Sequence, residues 1–376
     1  MPTPIPSPDD TDLEPPSRDE VELIARGCAS ATSSGDGLTE LQIAVLGAVT
    51  TSMTGFSVDI GDLEPITATD YAEGLARRNL AFRTRLVQIM ELGHMILPDA
   101  SIDVADRIID FARELEVDDD DIHRAREVAA GSRQLIAADF DRNRYLADLD
   151  LSAFTPLRTA DDKSYAWTTT ADRPALAQRW RDLGDLGTHT LGRNVHDFYV
   201  ARGFRFPGEP GSAPPLLAQH DWVHVIADYG SVVDSELEVF AFIARASDNP
   251  EAFTLLAMVI NLFQTGQLQG AAGIFQADPG HLSRDGMPAR LADALRRGAR
   301  CHGSVDFLAT DFWSMADMPL DHVRAHFGVE PKSAAAVAAG SPGPRSAGGI
   351  SEYQLRAGQE LALEQQRPYD SFGATL

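Results

Sequence analysis

The stretch Gln219-His220-Asp221-Trp222-Val223-His224 runs on through Asp228-Tyr229-Gly230-Ser231 to Glu236. Histidines at i and i+4 sit about 40° apart around a helix, so both imidazoles leave one face. Asp221 falls between that face and the next. Asp228 to Ser231 should break the helix, and a second helix that folds back from there returns Glu236 to the two imidazoles. Two imidazoles and a carboxylate converging on one point suit a divalent metal with an open coordination position. His220, Asp221, His224 and Glu236 are therefore the candidate metal ligands. A zinc peptidase needs Glu, not Asp, after the first histidine and a third ligand differently placed, so the motif does not support a peptidase.

Outward from this centre the chain reads as all-α. Leu237 to Ala246 is apolar nearly all round, as is Glu251 to Gln264 after the turn Asp248-Asn249-Pro250. Such helices form a core, or else wall an apolar pocket. Upstream, Pro174 suits the first turn of a helix running to Leu183. The stretch Thr188 to Tyr199 follows, whose Leu191, Val195, Phe198 and Tyr199 make an apolar stripe. Downstream, Gly266 to Gly286 is ambiguous. Helices are expected over 288–298 and 319–326, with Gly328 just past the end of the second.

The N-terminal half is a second helical module. Tyr71, Leu75, Phe82, Leu86, Ile89 and Met90 predict one helix after a Thr69/Asp70 start signal, stopped at Pro98-Asp99. A next helix opens at Ser101 with Ile102, Ala105, Ile109, Ala112 and Leu115 on one face. A third opens at Asp118-Asp119-Asp120-Asp121 and runs to Phe140. Four acids at a helix N-terminus favour the macrodipole, and the spaced ligand loop of a calcium-binding hand is absent. The lone histidines His94 and His123 read as structural or exposed. The predicted organisation is a disordered start over 1–18, a helical module over 19–150, a linker over 151–172, the metal-binding helical domain over 173–331, and a flexible tail over 332–376 with one short helix near 352–366.

Composition narrows the partners. A formal charge of -24 disfavours nucleic acid, whose affinity rests on Lys and Arg neutralising phosphates, and disfavours docking on an anionic membrane. Two distant cysteines, Cys28 and Cys301, make neither a disulfide framework nor a thiolate metal site and fit a reducing compartment. The longest apolar run, Phe253 to Phe263, falls short of the ~20 residues of a membrane span. No signal peptide is visible, and the expected location is the cytoplasm, with at most peripheral membrane contact. No phosphate loop or dinucleotide fingerprint is found.

His220-Asp221-x-x-His224, then Glu236, resembles the metal motif of the coenzyme Q (ubiquinone) biosynthesis protein 4 family. Thr190-Leu191-Gly192 to Phe198 is similar to that family's "TLGxxYxxFM" segment. Arg296-Arg297-Gly298, Asp311-Phe312-Trp313 and Pro319-Leu320-Asp321-His322-Val323-Arg324 are similar to its closing signature. The resemblance covers about 175–330. Residues 19–150 resemble tellurite-resistance TerB-like helical modules only in helix lengths and the acidic turn. The family resemblance implies a divalent metal (zinc first, magnesium or iron as alternatives) and an apolar groove for a prenylated quinone precursor or other isoprenoid lipid. It implies decarboxylation or hydroxylation at ring carbon 1, or else a non-catalytic lipid-binding scaffold with a structural metal, as a homo-oligomer or within a biosynthetic complex. A metal phosphohydrolase of the His-Asp type is the weaker alternative: it needs His189 or His196 with Asp234, leaves Glu236 unexplained, and lacks nearby basic residues beyond Arg193 and Arg202.

Overall fold

Capping chemistry sets the helix starts of the N-terminal half. The computed structural model describes residues 13–97, 102–117, 173–213, 215–247, 251–265, 267–270, 273–276 and 279–376. Most of the expected disordered start, the helix opening at Asp118, the linker and the turn at 248–250 lie outside these residues. Ser17 with Glu20 and Thr39 with Gln42 form reciprocal capping boxes on α1 (Arg18–Thr32) and α2 (Glu40–Thr54). The helix expected across 71–90 is two helices, α3 (Ala68–Gly74) and α4 (Leu80–Met95). Asn79 makes the break, because its side chain accepts from the Phe82 amide and so starts a new helix.

In α5 (Ile102–Glu114) the buried side is Val104, Ile108, Phe111 and Ala112, continued by Leu115. Ile102 and Ile109, expected to be buried, are 77% and 45% exposed. The sequence carries two overlapping apolar stripes here. The one holding Phe111 faces inward, where its ring meets Tyr71 with centroids 5.6 Å apart.

The second half continues with α6 (Pro174–Asp182), α7 (Leu191–Arg202), α8 (Pro215–Ala227), α9 (Val233–Ala246) and α10 (Glu251–Thr265). A short antiparallel hairpin follows, β1 (Gln267–Gly270) with β2 (Gly273–Gln276), where the Gly-rich stretch had no clear reading. Then come α11 (Met287–Ala299), α12 (Leu320–Phe327), α13 (Ala334–Ala338) and α14 (Glu352–Glu364). The all-α class holds, with this one hairpin added among the described residues. Among the described residues, no helix is long and apolar enough to cross a membrane.

Every residue of α9 from Ser235 to Ala244 is buried. The helix lies against α11 so closely that a Cβ on Gly298 would stand 2.3 Å from the Phe242 carbonyl. Phe242 and Leu256 are fully buried, so α9 and α10 serve as core. The two expected modules share that core. α2 packs on α11 and α4 on α10, and one buried cluster runs from Ile24 to Phe372. Polar ties cross the same boundary: Asn261 Nδ2 donates to the Met95 carbonyl at 2.6 Å, and Arg85 Nη2 to that of Ser247 at 3.4 Å.

The C-terminal segment corrects the expectation of a flexible tail. α13 rests on α11, and α14 crosses α7 at Gly358, where a Cβ would stand 2.2 Å from the Ala201 carbonyl. Small residues permit this approach, and the backbone groups find buried partners. Arg202 donates to the carbonyls of Gly349 (2.8 Å) and Pro344 (3.1 Å).

Candidate metal centre

α8 presents His220 and His224 one turn apart, as their spacing requires. The helix stops at Asp228, which takes a positive φ of 62°, and the chain turns through Tyr229 to Val232 before α9 begins. Glu236 sits in the first turn of α9, where the helix dipole favours a carboxylate. The turn brings Glu236 back onto the imidazoles. His220 Nε2 to Glu236 Oε2 is 3.2 Å, His224 Nε2 to the same oxygen is 3.2 Å, and the two Nε2 atoms are 3.1 Å apart.

The opposite side of each imidazole fixes its tautomer. His224 Nδ1 lies 2.6 Å from the Gly230 carbonyl, which can only accept, so Nδ1 carries a proton and Nε2 is the atom turned toward the triangle. His220 Nδ1 faces Asp221 Oδ1 at 3.6 Å. The other Asp221 oxygen accepts a short hydrogen bond from the Tyr199 hydroxyl. Asp221 thus stands on the far side of His220 from the triangle, which Glu236 completes. His220, Asp221 and His224 also form a looser group, with ligand atoms within 4.8 Å of one another. The triangle with Glu236 is tighter, and we take it as the primary donor set.

All four side chains are at most 2% exposed. Phe240, one turn after Glu236, stacks on His220 with centroids 5.4 Å apart, and Phe198 of α7 stacks on His224 at 5.7 Å. Burial opposes ionisation of Glu236, but His224 and His220, when a proton sits on the nitrogens facing it, outweigh burial and hold the carboxyl well below the usual range. Two ring lone pairs and a carboxylate meeting in a dry site repel one another unless a cation lies among them. Ligand bonds of ~2.1 Å give edges of about 3.0 Å on an octahedral face and about 3.4 Å in a tetrahedron, and the observed 3.1–3.2 Å lies between. The residues present therefore fit a divalent metal.

Residues outside the motif hold its frame. Arg324 donates to the Ile226 (2.8 Å) and Val225 (2.9 Å) carbonyls, and Arg297 to that of Ala227 (2.8 Å). Two cations thereby cap the C-terminal end of α8, the favourable end for positive charge. Both lie in the stretches that resemble the family signature, although their role was not read from sequence. The turn at 229–231 is held by the C-terminal segment. The Gly230 amide donates to Pro342, the Ser231 amide to Gly349, and Gln354 bonds both the hydroxyl and the carbonyl of Ser231 at 2.8 Å. Tyr199 read only as a stripe residue; no spacing rule signals a hydroxyl that reaches another helix.

The residues that a His-Asp phosphohydrolase would need are placed elsewhere. His189 is exposed, His196 bonds Asp197 and stacks on Phe206, and Asp234 pairs with His281, Arg284 and Arg290.

No protein-family model matches the chain, and no curated protein matches it. Among solved structures, a Nostoc punctiforme protein assigned provisionally to ubiquinone biosynthesis is similar at 18% identity and a TM-score of 0.29, over 66% of this chain and 98% of its own. A superposition at that level establishes neither a shared fold nor a shared activity.

Proposed function

We propose that His220, His224 and Glu236 hold a divalent metal and that the protein acts in isoprenoid-quinone or related prenyl-lipid metabolism. The observation that carries the metal reading is the buried triangle of three acceptor atoms, each ring held from behind by Gly230 or Asp221. Two imidazoles and one carboxylate suit zinc, and equally the three-ligand face that non-haem iron(II) uses; magnesium prefers an all-oxygen shell. The lipid class rests on the resemblance of the His220-to-Glu236 motif and of the segments around Leu191 and Arg324.

Three protein ligands leave room for water or a ring oxygen, and a metal there supplies Lewis-acid polarisation. His220 and His224 would bind as neutral rings and Glu236 as the anion, with Asp221 and Tyr199 keeping His220 in place. Action at ring carbon 1 of a prenylated precursor is the catalytic form of this reading. The near-complete burial of the ligands favours the second form, a lipid-binding scaffold whose metal is structural.

Elemental analysis of the full-length protein tests the metal. One equivalent of zinc or iron is expected, lost in His220→Ala/His224→Ala with helical content retained. Stoichiometric metal in the double variant would overturn the assignment. Cobalt substitution separates the two forms: a visible spectrum that shifts with added exogenous ligand indicates an open position, and an inert spectrum a closed one.

A further inference from the structure

Three of the chain's four tryptophans pack into one group. Trp180 of α6, Trp222 of α8 and Trp313 in the turn Phe312 to Met315 meet pairwise, with ring centroids 5.3–5.6 Å apart. Tyr199 of α7 joins them through Trp180 at 5.1 Å. The series runs from surface to interior. Trp313 is half-buried, Trp180 is buried, and Tyr199 is wholly buried with its hydroxyl bonded to Asp221. Packing asks only for apolar rings in contact, which phenylalanine supplies as well. Tryptophan and tyrosine differ from phenylalanine in giving up a single electron readily. The two ends of the series also carry opposite charges. The guanidinium of the exposed Arg179 stands over the Trp313 ring at 4.0 Å, and the Asp221 carboxylate adjoins Tyr199 inside.

We propose that Trp313, Trp180 and Tyr199 form a path for single electrons, along which a one-electron acceptor at the surface oxidises Tyr199. The acceptor takes an electron from Trp313. Trp180 refills Trp313, and Tyr199 refills Trp180 while its phenolic proton passes along the hydrogen bond to the Asp221 carboxylate. One electron leaves, one proton moves, and a neutral tyrosyl radical remains. Electrostatics sets the direction. A positive hole on Trp313 is repelled by Arg179, whereas a hole on Tyr199 is drawn by Asp221 and vanishes as charge once the proton has moved. The path ends beside His220, whose Nδ1 lies 3.6 Å from an Asp221 oxygen, so Tyr199 stores one oxidising equivalent next to the proposed metal centre. The use of that equivalent at the centre rests on the metal reading; the path itself does not.

A ruthenium polypyridyl photo-oxidant, tethered to the thiol of a Ser314→Cys variant of the full-length protein, tests the path. Ser314 is exposed beside Trp313, and Cys28 and Cys301 are buried, so the label goes to one place. After a flash in the presence of an electron quencher, transient absorption should show a tryptophan radical that decays as a tyrosyl radical rises. Tyr199→Phe, which removes only the hydroxyl, should abolish the tyrosyl signal and prolong the tryptophan radical at least tenfold. Trp180→Phe should slow the tyrosyl rise at least tenfold. A tyrosyl signal that survives Tyr199→Phe, an equally fast rise in Trp180→Phe, or a tryptophan radical that never passes to tyrosine would overturn the proposal. The optical signal needs no bound metal, so elemental analysis of the same sample separates this result from a failure of the metal reading.

Discussion

Gln354→Ala tests whether the C-terminal segment positions the proposed metal centre. Gln354 is wholly buried; its Nε2 donates to the Ser231 carbonyl, and its Oε1 accepts from the Ser231 hydroxyl at 2.8 Å and the Ser351 amide at 3.1 Å. Alanine removes all three bonds, and stranding buried groups costs about 1–3 kcal/mol each where no water replaces the partner. With partial relief from the other bonds around Ser231, a net loss of about 2–4 kcal/mol is expected. The route to the metal is short: Ser231 adjoins Gly230, whose carbonyl holds His224 Nδ1. Loss of groups that orient a ligand typically costs 10–100-fold in metal affinity. Gln354 acts one step further out, so about tenfold is expected, or about 1.4 kcal/mol. Zinc affinity, measured by competition with a chromophoric chelator, is the assay, and Ser351→Ala is the control. The control removes only the N-cap of α14, costs about 1 kcal/mol of stability, and leaves Ser231 alone. Wild-type zinc affinity in a destabilised Gln354→Ala would refute the positioning role.

Deleting residues 1–150 should bare the faces of α10 and α11 that α4 and α2 cover. The product should bind a hydrophobic dye and lose its cooperative melt; a soluble fragment with a sharp transition would contradict the shared core. Gly298→Ala should lower stability by about 1–3 kcal/mol in denaturant titration, because the added methyl meets the Phe242 carbonyl of α9. Burial pushes both thiols up to about 12, so Cys28 and Cys301 should react with a thiol reagent only at the rate of unfolding. The same shift sets a pH dependence. Between pH 9.0 and about 12 the thiols ionise in the unfolded chain but stay neutral in the folded one, so stability present below pH 9.0 is lost across that window.

Much of the centre was legible because its parts obey local rules. The four-residue spacing of His220 and His224 places both rings on one face, and the polar turn before Val233 allows only a sharp return, which delivers Glu236. Helices with a clear start, such as α6 at Pro174, were legible for the same reason, since a proline suits the first turn of a helix. Where two local signals competed, tertiary packing decided. The Val104-to-Leu115 stripe of α5 prevailed over the Ile102-to-Ala112 stripe because Phe111 had Tyr71 to meet, and no periodicity encodes that partner. Asp221 reads as a candidate ligand from its place beside His220, and the structure adds that one of its oxygens accepts from Tyr199 of another helix.

The C-terminal segment was illegible for a different reason. A stretch of Ala, Gly, Ser and Pro buries little apolar surface of its own, and read alone it has nothing to offset its chain entropy. Its fold depends on partners more than a hundred residues away: Arg202, whose guanidinium gathers the Gly349 and Pro344 carbonyls, and Ser231, which meets Gln354. Glycine makes the approach possible. A Cβ on Gly230 would stand 2.8 Å from the Gly349 Cα, so neither chain could carry a side chain and still bond the other. Gly230 therefore has three tasks that pull on the same few atoms. It turns the chain toward Glu236, offers its carbonyl to His224, and leaves space for Gly349. The segment that reads as most dispensable in sequence is thus the one closed over the turn on which the imidazole geometry depends.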